Sequence, residues 1–419
     1  MLSVKRALIL SAFVLIVFFF TSSRRSEDGT LDIKSSIRGG KRPKVEKPEV
    51  SSAPNNKPAT PLKDTLKESA LLKKLEDDHV GKLVTQTSSN KTPKPRLGNM
   101  KNEPLRDQLA YQFPYDVSNK FPAFIWQTWK YTVANPRFRD SYRPLEASWT
   151  QHHPEFIHEV ITDQVALHLI KHLYGSVPQV LEAFTSLPSA ILKADFFRYL
   201  ILLARGGIYS DIDTAALKPA TAWVPSNFRM SSVGLIIGIE ADPDRADWAK
   251  WYSRRIQFCQ WTIQSKPGHP VLREVVARIT EKTLERKRAG KLKKDNGNVI
   301  EFTGPAAWTD TIFSYFNDQS YFLIEKDNPV DWRNFTGMKE PRKLGDVVVL
   351  PVTSFSPGVG QFGAGEDDDP QAFVKHLFEG TWKPEVERHI GENDEDKQNR
   401  LAGEAAQRKK LRKLGINDP

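Results

Sequence analysis

Short apolar runs and longer amphipathic runs alternate along the chain from about residue 115 onward. The short runs predict buried strands at 124–126, 156–161, 208–210, 235–240 and 347–351. The longer runs have helical spacing and predict helices at 163–173, 189–205 and 269–288. We expect Asp163 to cap the first of these helices, and Gly206 with Gly207 to form a left-handed C-cap after the second. Strands that alternate with helices predict an α/β sandwich with a mostly parallel sheet.

The first 113 residues have a different pattern, which predicts a membrane anchor followed by a stem. Residues 7–20 are apolar apart from Ser11, and basic residues flank them. This short span suits a thin secretory membrane, and no small-residue cleavage site follows it. We therefore expect a cytosolic tip and transmembrane signal-anchor at 1–21 rather than a cleaved secretory signal. Residues 22–113 are rich in proline, lysine and serine, which predicts a disordered or partly helical stem.

The distribution of charge narrows the classes of function. The chain of 419 residues has a net charge of +10, but its first 110 residues carry +9 of this, so the rest is nearly neutral. A nucleic-acid-binding domain concentrates basic side chains on its fold, so we exclude that function. The single cysteine, Cys259, excludes a disulfide framework and a cysteine-rich zinc site. The charged segment 391–419 is expected to be a polar or helical tail.

The stretch 194–217 holds the clearest candidate chemistry. Asp211 and Asp213 follow a predicted buried strand, and in an extended chain they point to the same side. Two carboxylates this close are unfavourable unless a cation neutralises them, and their oxygens suit Mn²⁺ or Mg²⁺. Strand ends are also where α/β folds place ligands. The sequence therefore predicts a metal site that keeps coordination positions for the diphosphate of a nucleotide. No G-x-G-x-x-G follows the first predicted strand and the chain has no P-loop motif, so neither a dinucleotide-binding fold nor a P-loop fold is supported.

A longer pattern around these aspartates resembles the sugar-binding signature of glycosyltransferase family 32. The pattern, D-x-x-R-Y…G-G-x-Y-x-D-x-D, consists of Asp195, Arg198, Tyr199, Gly206, Gly207, Tyr209, Asp211 and Asp213. Further blocks resemble the family in order, at 125–130, 148–154, 268–270, 303–309 and 376–382. The last block has Thr381 where the family usually has Ser. The similarity covers residues from about 122 to 383.

The resemblance implies a fold and an activity. It implies a GT-A fold, a Rossmann-like α/β/α sandwich with a DXD motif, as a catalytic domain at 114–390. The implied activity is a retaining transfer of mannose from GDP-mannose with Mn²⁺ as cofactor, although Mg²⁺ stays open. The implied acceptor is the core of N-linked glycans, which receives mannose in α-1,6 linkage at the start of an outer mannan chain. We expect a single-pass type II protein of the Golgi membrane, with its catalytic domain in the lumen. It acts either alone or in a mannosyltransferase complex.

The resemblance also assigns roles to individual residues. The implied metal ligands are Asp211, Asp213 and His376. The catalytic candidates are Asp211, Asp213, Asp195 and Arg198. The substrate-binding candidates are Trp126, Asp195, Arg198, Tyr199, Asp211, Gly304 and Trp382. These assignments have structural alternatives. Asp195 and Arg198 could form an ordinary ion pair on one helix face, His376 could be a surface or capping residue, and Trp126 could be core packing.

Several alternatives stay open at this stage. The chain could be a family member that elongates mannan or mannosylates inositol-phosphoceramide. It could also be a non-catalytic subunit of a mannan polymerase complex, although the intact Asp195, Asp211 and Asp213 argue against this. His152, His153 and Glu240 either line the acceptor side or are structural.

Overall fold

A computed structural model describes residues 100, 102–250, 252–293, 299–322, 328–380 and 394–416. The predicted signal-anchor, nearly all of the predicted stem and Trp382 lie outside these ranges. Among the described residues, none of the helices has the length and apolar character needed to span a bilayer.

The described residues form short strands interleaved with helices. The helices are α1 (Leu105–Gln112), α2 (Arg143–His152), α3 (Asp163–Leu173), α4 (Pro178–Ser186), α5 (Ala190–Arg205), α6 (Pro270–Arg288), α7 (Val299–Phe302), α8 (Pro305–Phe316), α9 (Val352–Phe355) and α10 (Asp394–Lys413). The strands are β1 (Phe124–Thr128), β2 (Ile157–Ile161), β3 (Gly207–Ser210), β4 (Thr214–Ala216), β5 (Leu235–Ala241), β6 (Gln257–Phe258), β7 (Thr262–Ser265), β8 (Arg342–Leu344), β9 (Val347–Leu350) and β10 (Val374–His376). Short 3₁₀ turns lie at Asp140–Tyr142, Ala220–Ala222, Met230–Ser232, Trp248–Lys250 and Trp332–Asn334.

Most of the strands belong to one mixed sheet. Its order is β2-β1-β3-β7-β5-β9-β8, with β6 paired to β5, while β4 and β10 form a separate antiparallel pair. β1 is parallel to β2 and β3, and β5 is parallel to β9, but β7 runs antiparallel to both β3 and β5. The expectation of a mostly parallel sheet was therefore wrong. β6 is also antiparallel to β5, and β8 is antiparallel to β9. The sequence pattern did not indicate β7, because its sequence Thr-Ile-Gln-Ser has no apolar run although all four residues are buried.

Helix α5 is the centre of the apolar core beneath this sheet. Phe196, Leu200 and Leu203 on α5 are fully buried. They belong to one apolar cluster with Val276 of α6 and Trp308 of α8. Burying a large apolar side chain contributes about 1.5–3 kcal/mol, so this packing fixes the helix that carries the Asp195 and Arg198 of the signature.

The predicted helix ends are confirmed in position but differ in detail. α5 ends at Arg205, and Gly206 has a positive φ of 64°, but its ψ of −160° lies outside the left-handed helical region. Gly207 has φ 93°, and a Cβ there would lie 2.6 Å from the carbonyl oxygen of Phe124. This close approach of β1 and β3 requires glycine. At the start of α3 the capping side chain is Thr162, not Asp163, because Thr162 accepts from the Val165 N–H.

The segments before and after the predicted catalytic region both contain a helix that contacts this region. α1 lies in the segment that we assigned to the stem, yet its Leu109 is fully buried and its Arg106 forms an ion pair with Glu274 of α6 (2.6 Å). The folded part therefore begins before residue 114. Residues 394–413 are helical, which agrees with the helical alternative for the tail, and Lys410 there pairs with Asp140 (2.9 Å).

Candidate metal site and its surroundings

A tight turn between β3 and β4 presents the two aspartates. The Thr214 N–H and hydroxyl both donate to the Asp211 carbonyl oxygen, at 3.2 and 2.6 Å. The Asp211 N–H donates to the Trp261 carbonyl at the start of β7 (2.8 Å). Ile212 between the aspartates is buried in a separate apolar cluster with Phe138 and Tyr142. The extended conformation that we expected for this pair was wrong, because the chain turns immediately after β3.

His376 completes a cluster of three possible metal ligands. Strand β10 pairs with β4 so that His376 is opposite Thr214, one residue after Asp213. One ligand atom from each of Asp211, Asp213 and His376 lies within 4.8 Å of the others. His376 Nε2 is 3.3 Å from Asp213 Oδ2, while its buried Nδ1 has no hydrogen-bond partner among the described residues. Two carboxylates and one imidazole, whose second ring nitrogen has no partner, are suitable ligands for a divalent metal ion.

The two carboxylates differ in their ionisation. Burial raises the pKa of Asp211, while the Arg198 charge acts in the opposite direction. Burial also acts to raise the pKa of Asp213, but His376 and hydrogen bonds lower it below its ordinary value overall. A bound cation would favour the charged form of both groups.

Arg198 connects the metal cluster to Asp195. Its Nη2 lies 3.0 Å from Asp195 Oδ1 and 3.1 Å from Asp211 Oδ1. The helix-face ion pair that the sequence left open is therefore present, and it extends to the metal cluster. Asp195 is 1% exposed and accepts hydrogen bonds from Thr303 Oγ1 (2.8 Å) and Gln260 Nε2 (3.3 Å). Burial raises the pKa of Asp195 to about 6.

Two further substrate-binding candidates, Tyr199 and Gly304, lie beside this network. Tyr199 is fully buried, and its hydroxyl donates to Gln260 Oε1 (2.5 Å), with the Thr303 carbonyl as a second, more distant acceptor (3.1 Å). Gly304 follows Thr303 and is the N-cap of α8. The contacts seen here are structural, and the donor contacts assigned to Tyr199 and Gly304 stay predictions.

Trp126 is also part of the core. Its Nε1 donates to the Gly206 carbonyl (2.9 Å), and its ring stacks on Phe124 at 5.0 Å. The core-packing alternative accounts for these contacts, so the contact of Trp126 with a nucleoside stays a prediction. The role of Trp382 is likewise untested, since it lies outside the described residues.

Sequence reasoning missed the segment that follows His376. The Leu377 N–H donates to the Asp213 carbonyl (3.0 Å), and the Glu379 N–H donates to Asp213 Oδ2 (3.2 Å). The Glu379 carboxylate in turn pairs with Arg139 (3.0 Å). The family's last block, which includes Gly380 (φ 57°), covers this loop but did not indicate a role for Leu377 or Glu379.

Sequence reasoning also missed Gln260 and Trp261, which precede β7. Gln260 contacts Asp195 and Tyr199 as described above, and its carbonyl accepts from Arg198 Nη1 (3.2 Å). The ring of Trp261 lies 4.6 Å from that of His376. No motif or spacing in the sequence marks either residue. His153 is structural, since its Nε2 accepts from the Ala220 N–H (2.8 Å) inside the core.

Comparison with known proteins points to the same region. A family model described as the glycosyltransferase sugar-binding region containing a DXD motif matches residues 141–229. The initiation-specific alpha-1,6-mannosyltransferase of Candida albicans is 50% identical over 304 residues, which cover 68% of this chain and 79% of that protein. The protein of the same name from Schizosaccharomyces pombe is 45% identical over 280 residues, covering 66% and 67%. The putative glycosyltransferase HOC1 of Saccharomyces cerevisiae is 44% identical over 292 residues, covering 68% and 71%.

Proposed function

We propose that this chain, which belongs to glycosyltransferase family 32, transfers mannose from GDP-mannose in α-1,6 linkage to the core of N-linked glycans. This transfer would start an outer mannan chain. Two relatives that carry this activity in their names, at 50% and 45% identity, support the proposal. The mixed sheet, with the DXD turn directly after β3, supports a GT-A fold.

The observation that carries the proposal is the convergence of Asp211, Asp213 and His376. These side chains would hold a divalent ion, Mn²⁺ in our proposal with Mg²⁺ as the alternative. When bound, such an ion stabilises the negative charge that develops on a leaving diphosphate. The three side chains come from two distant segments, β3–β4 and β10, so the fold brings the site together.

Arg198 and Asp195 act as a positioning pair in this proposal. Arg198 binds Asp211 Oδ1 at 3.1 Å and so fixes the direction in which that carboxylate faces. Asp195, Thr303 and Gln260 fix Arg198 in turn, through the contacts already given. Groups that orient a metal ligand typically change metal affinity or activity about 10- to 100-fold when they are mutated.

We propose that transfer retains the anomeric configuration. The bond from mannose C1 to the phosphate oxygen breaks, and the bond from C1 to the acceptor oxygen forms on the same face. The released phosphate oxygen takes the proton from the acceptor hydroxyl, so protons and charge balance without another reactant. The Arg198 guanidinium, held beside Asp211, would add to the stabilisation of the developing negative charge.

The test is a transfer assay with the purified full-length protein. GDP-mannose is supplied with Mn²⁺, Mg²⁺ or a chelator, and with N-glycan cores, extended α-1,6-mannan and inositol-phosphoceramide as separate acceptors. We expect one α-1,6-linked mannose on the N-glycan core, identified by linkage analysis and NMR of the anomeric proton. Transfer only to extended mannan or to the lipid would replace this function with one of those alternatives. GDP-mannose left unconsumed with every acceptor and metal would support a non-catalytic subunit.

We also propose that the protein is anchored in the Golgi membrane as a single-pass type II protein. The apolar run at 7–20 with its basic flanks supports an anchor at 1–21. Alkaline extraction and protease protection of the tagged protein test this. We expect a membrane-bound protein whose carboxyl terminus is protected in sealed vesicles, and release of the protein by alkali would contradict the anchor.

A further inference from the structure

Glu240 lies near the carboxyl end of β5, at an irregularity in the strand. Ile239 pairs with Phe258 and Ala241 pairs with Gln257, so Glu240 is an extra residue between two pairs that are adjacent on β6. This arrangement is a β-bulge, which redirects the side chain of the extra residue and often occurs next to active sites.

The register of the sheet places Glu240 at the same edge as the metal cluster. β3 and β5 run in the same direction because β7, which lies between them, is antiparallel to both. Gly207 on β3 and Leu235 on β5 are both paired with Ser265 on β7. Asp211 is four residues after Gly207, whereas Glu240 is five residues after Leu235. Glu240 therefore lies one residue farther along the strand direction than Asp211. Two strand spacings separate them, roughly 10 Å.

The electrostatic surroundings agree with this placement. Burial raises the pKa of Glu240 to about 7, while a hydrogen bond from Gln257 and the charges of His376 and Arg198 act to lower it. Glu240 therefore lies within electrostatic reach of a metal ligand and of the arginine that orients Asp211.

Two hydrogen-bond acceptors at this position have no partner. Glu240 Oε2 and Gln257 Oε1 are both buried, and neither accepts a hydrogen bond among the described residues. Trp261 Nε1 is a buried donor that also has no partner within the described part of the chain. Buried polar atoms are nearly always hydrogen-bonded in folded proteins, so unpartnered atoms beside a candidate site are available to bind a ligand. Two adjacent acceptors require a ligand with several donors, and the hydroxyl groups of a hexose provide them.

We propose that Glu240, together with Gln257, accepts hydrogen bonds from hydroxyl groups of the hexose that is transferred. This inference rests on the proposed function. The hexose of a sugar nucleotide is bonded to the phosphate farther from the nucleoside, so it lies next to a metal-bound diphosphate. Glu240 is one position farther along the sheet edge than Asp211. Its role is to hold the sugar, whereas the metal cluster holds the diphosphate.

The test compares a ligand that contains the hexose with one that does not. GDP-mannose and GDP are titrated calorimetrically, with Mn²⁺, into the full-length protein and into the Glu240→Ala and Glu240→Gln variants. We expect GDP-mannose to bind Glu240→Ala about 10- to 100-fold more weakly, which is the effect of losing a hydrogen bond to a charged group. GDP should bind with unchanged affinity. Glu159→Gln, at an exposed position on β2, is the matched control and should leave both affinities unchanged.

The other outcomes separate this inference from the proposed function. Equal weakening of GDP and GDP-mannose, or no weakening of either, would overturn the role of Glu240 alone. A rise confined to the acceptor KM would place Glu240 on the acceptor side and would also overturn it. Failure of the wild-type protein to bind GDP-mannose would overturn the proposed function and this inference together. If Glu240→Ala does not fold, Glu240→Gln keeps the side-chain shape and replaces one acceptor oxygen with a donor NH2 group, so it should still weaken GDP-mannose binding and leave GDP binding unchanged, by a smaller factor than Glu240→Ala.

Discussion

Glu379 donates its backbone N–H to Oδ2 of Asp213 at 3.2 Å, although 166 positions separate the two residues in sequence. Phe378, the residue before Glu379, has a φ of 51°, a conformation that is strained for a bulky side chain. Such strain persists only where the surrounding contacts hold it in place, and here the contacts on both sides of Phe378 are with Asp213. The carboxyl-terminal segment thus fixes the orientation of Asp213, and the DXD turn alone does not make the site.

Replacement of Asp213 should remove metal binding without unfolding the protein. The Asp213→Ala variant loses a carboxylate ligand and the acceptor for the Glu379 N–H. We expect Mn²⁺ affinity to fall by more than about 100-fold, since even groups behind the ligands change it 10- to 100-fold. Transfer should become undetectable, while the thermal transition stays cooperative. Calorimetric titration with Mn²⁺ and GDP measures the affinity.

The matched control for this prediction is Asp368→Ala. Asp368 is an exposed aspartate in the loop before β10, so its loss should change neither metal affinity nor transfer. Near-normal, metal-dependent transfer by Asp213→Ala would show that the metal is held elsewhere.

The sequence predicted the parts of the fold that local pattern determines. The apolar runs of β1, β3, β5 and β9 and the amphipathic face of α5 are local features, and the structure has each of them close to its predicted place. The Asp195–Arg198 pair could be predicted because residues three apart on a helix share a face.

The partners of these residues could not be predicted, because they come from distant segments. Thr303 and Gln260 bind Asp195 across 108 and 65 positions, and no local pattern indicates such a contact. Strand β7 escaped detection because Ile263 is its single apolar residue, while the other three residues are polar although they are buried. The contribution of His376 came only from the family resemblance, because the β4–β10 pairing that brings it to Asp213 is not visible in its own sequence segment.

Glycine at position 207 should be essential for stability. A Cβ there would lie 2.6 Å from the Phe124 carbonyl oxygen, and φ 93° is strained for any L side chain. We expect Gly207→Ala to lower the free energy of unfolding by about 3 kcal/mol, because the clash and the backbone strain add. Urea denaturation followed by circular dichroism measures this.

Gly403→Ala is the opposite case and serves as the control. Gly403 lies inside α10, and a Cβ there would meet nothing within 4 Å. Alanine is the better helix former, so stability should rise by about 0.5–1 kcal/mol. Equal effects of the two substitutions would show that Gly207 is not under the steric constraint described here.

Glu240 should make stability depend on pH. Burial raises its pKa to about 7 from an ordinary 4.5, so between these values the folded protein keeps a proton that the unfolded chain releases. Stability therefore falls as pH rises through this window and is constant above it. Glu240→Gln has no such group, so its stability relative to wild type should increase by up to about 3 kcal/mol from pH 4.5 to 8. Urea denaturation at both pH values tests this, and a difference independent of pH would contradict it.

The carboxyl-terminal helix α10 contacts the segment that supports the DXD turn. Gln407 Nε2 donates to the Phe138 carbonyl (2.9 Å), and Gln407 Oε1 accepts from the Asp140 N–H (2.9 Å). Phe138 packs in the same apolar cluster as Ile212, the residue between the two aspartates. One glutamine on α10 therefore holds the backbone against which the metal-binding turn packs.

Loss of these two hydrogen bonds should weaken metal binding, although Gln407 is not one of the metal ligands. We expect Gln407→Ala to raise the Kd for Mn²⁺ about 2- to 10-fold, within the range of coupling energies found for residues that do not touch the ligand. Gln398→Ala, at an exposed position on the same helix, is the control for the loss of a glutamine side chain and should not change the Kd. Calorimetric titration of Mn²⁺ with GDP measures both variants. A Gln407→Ala variant that is less stable but binds Mn²⁺ as tightly as wild type would limit α10 to a role in folding, since the packing of Ile212 would then be independent of the helix.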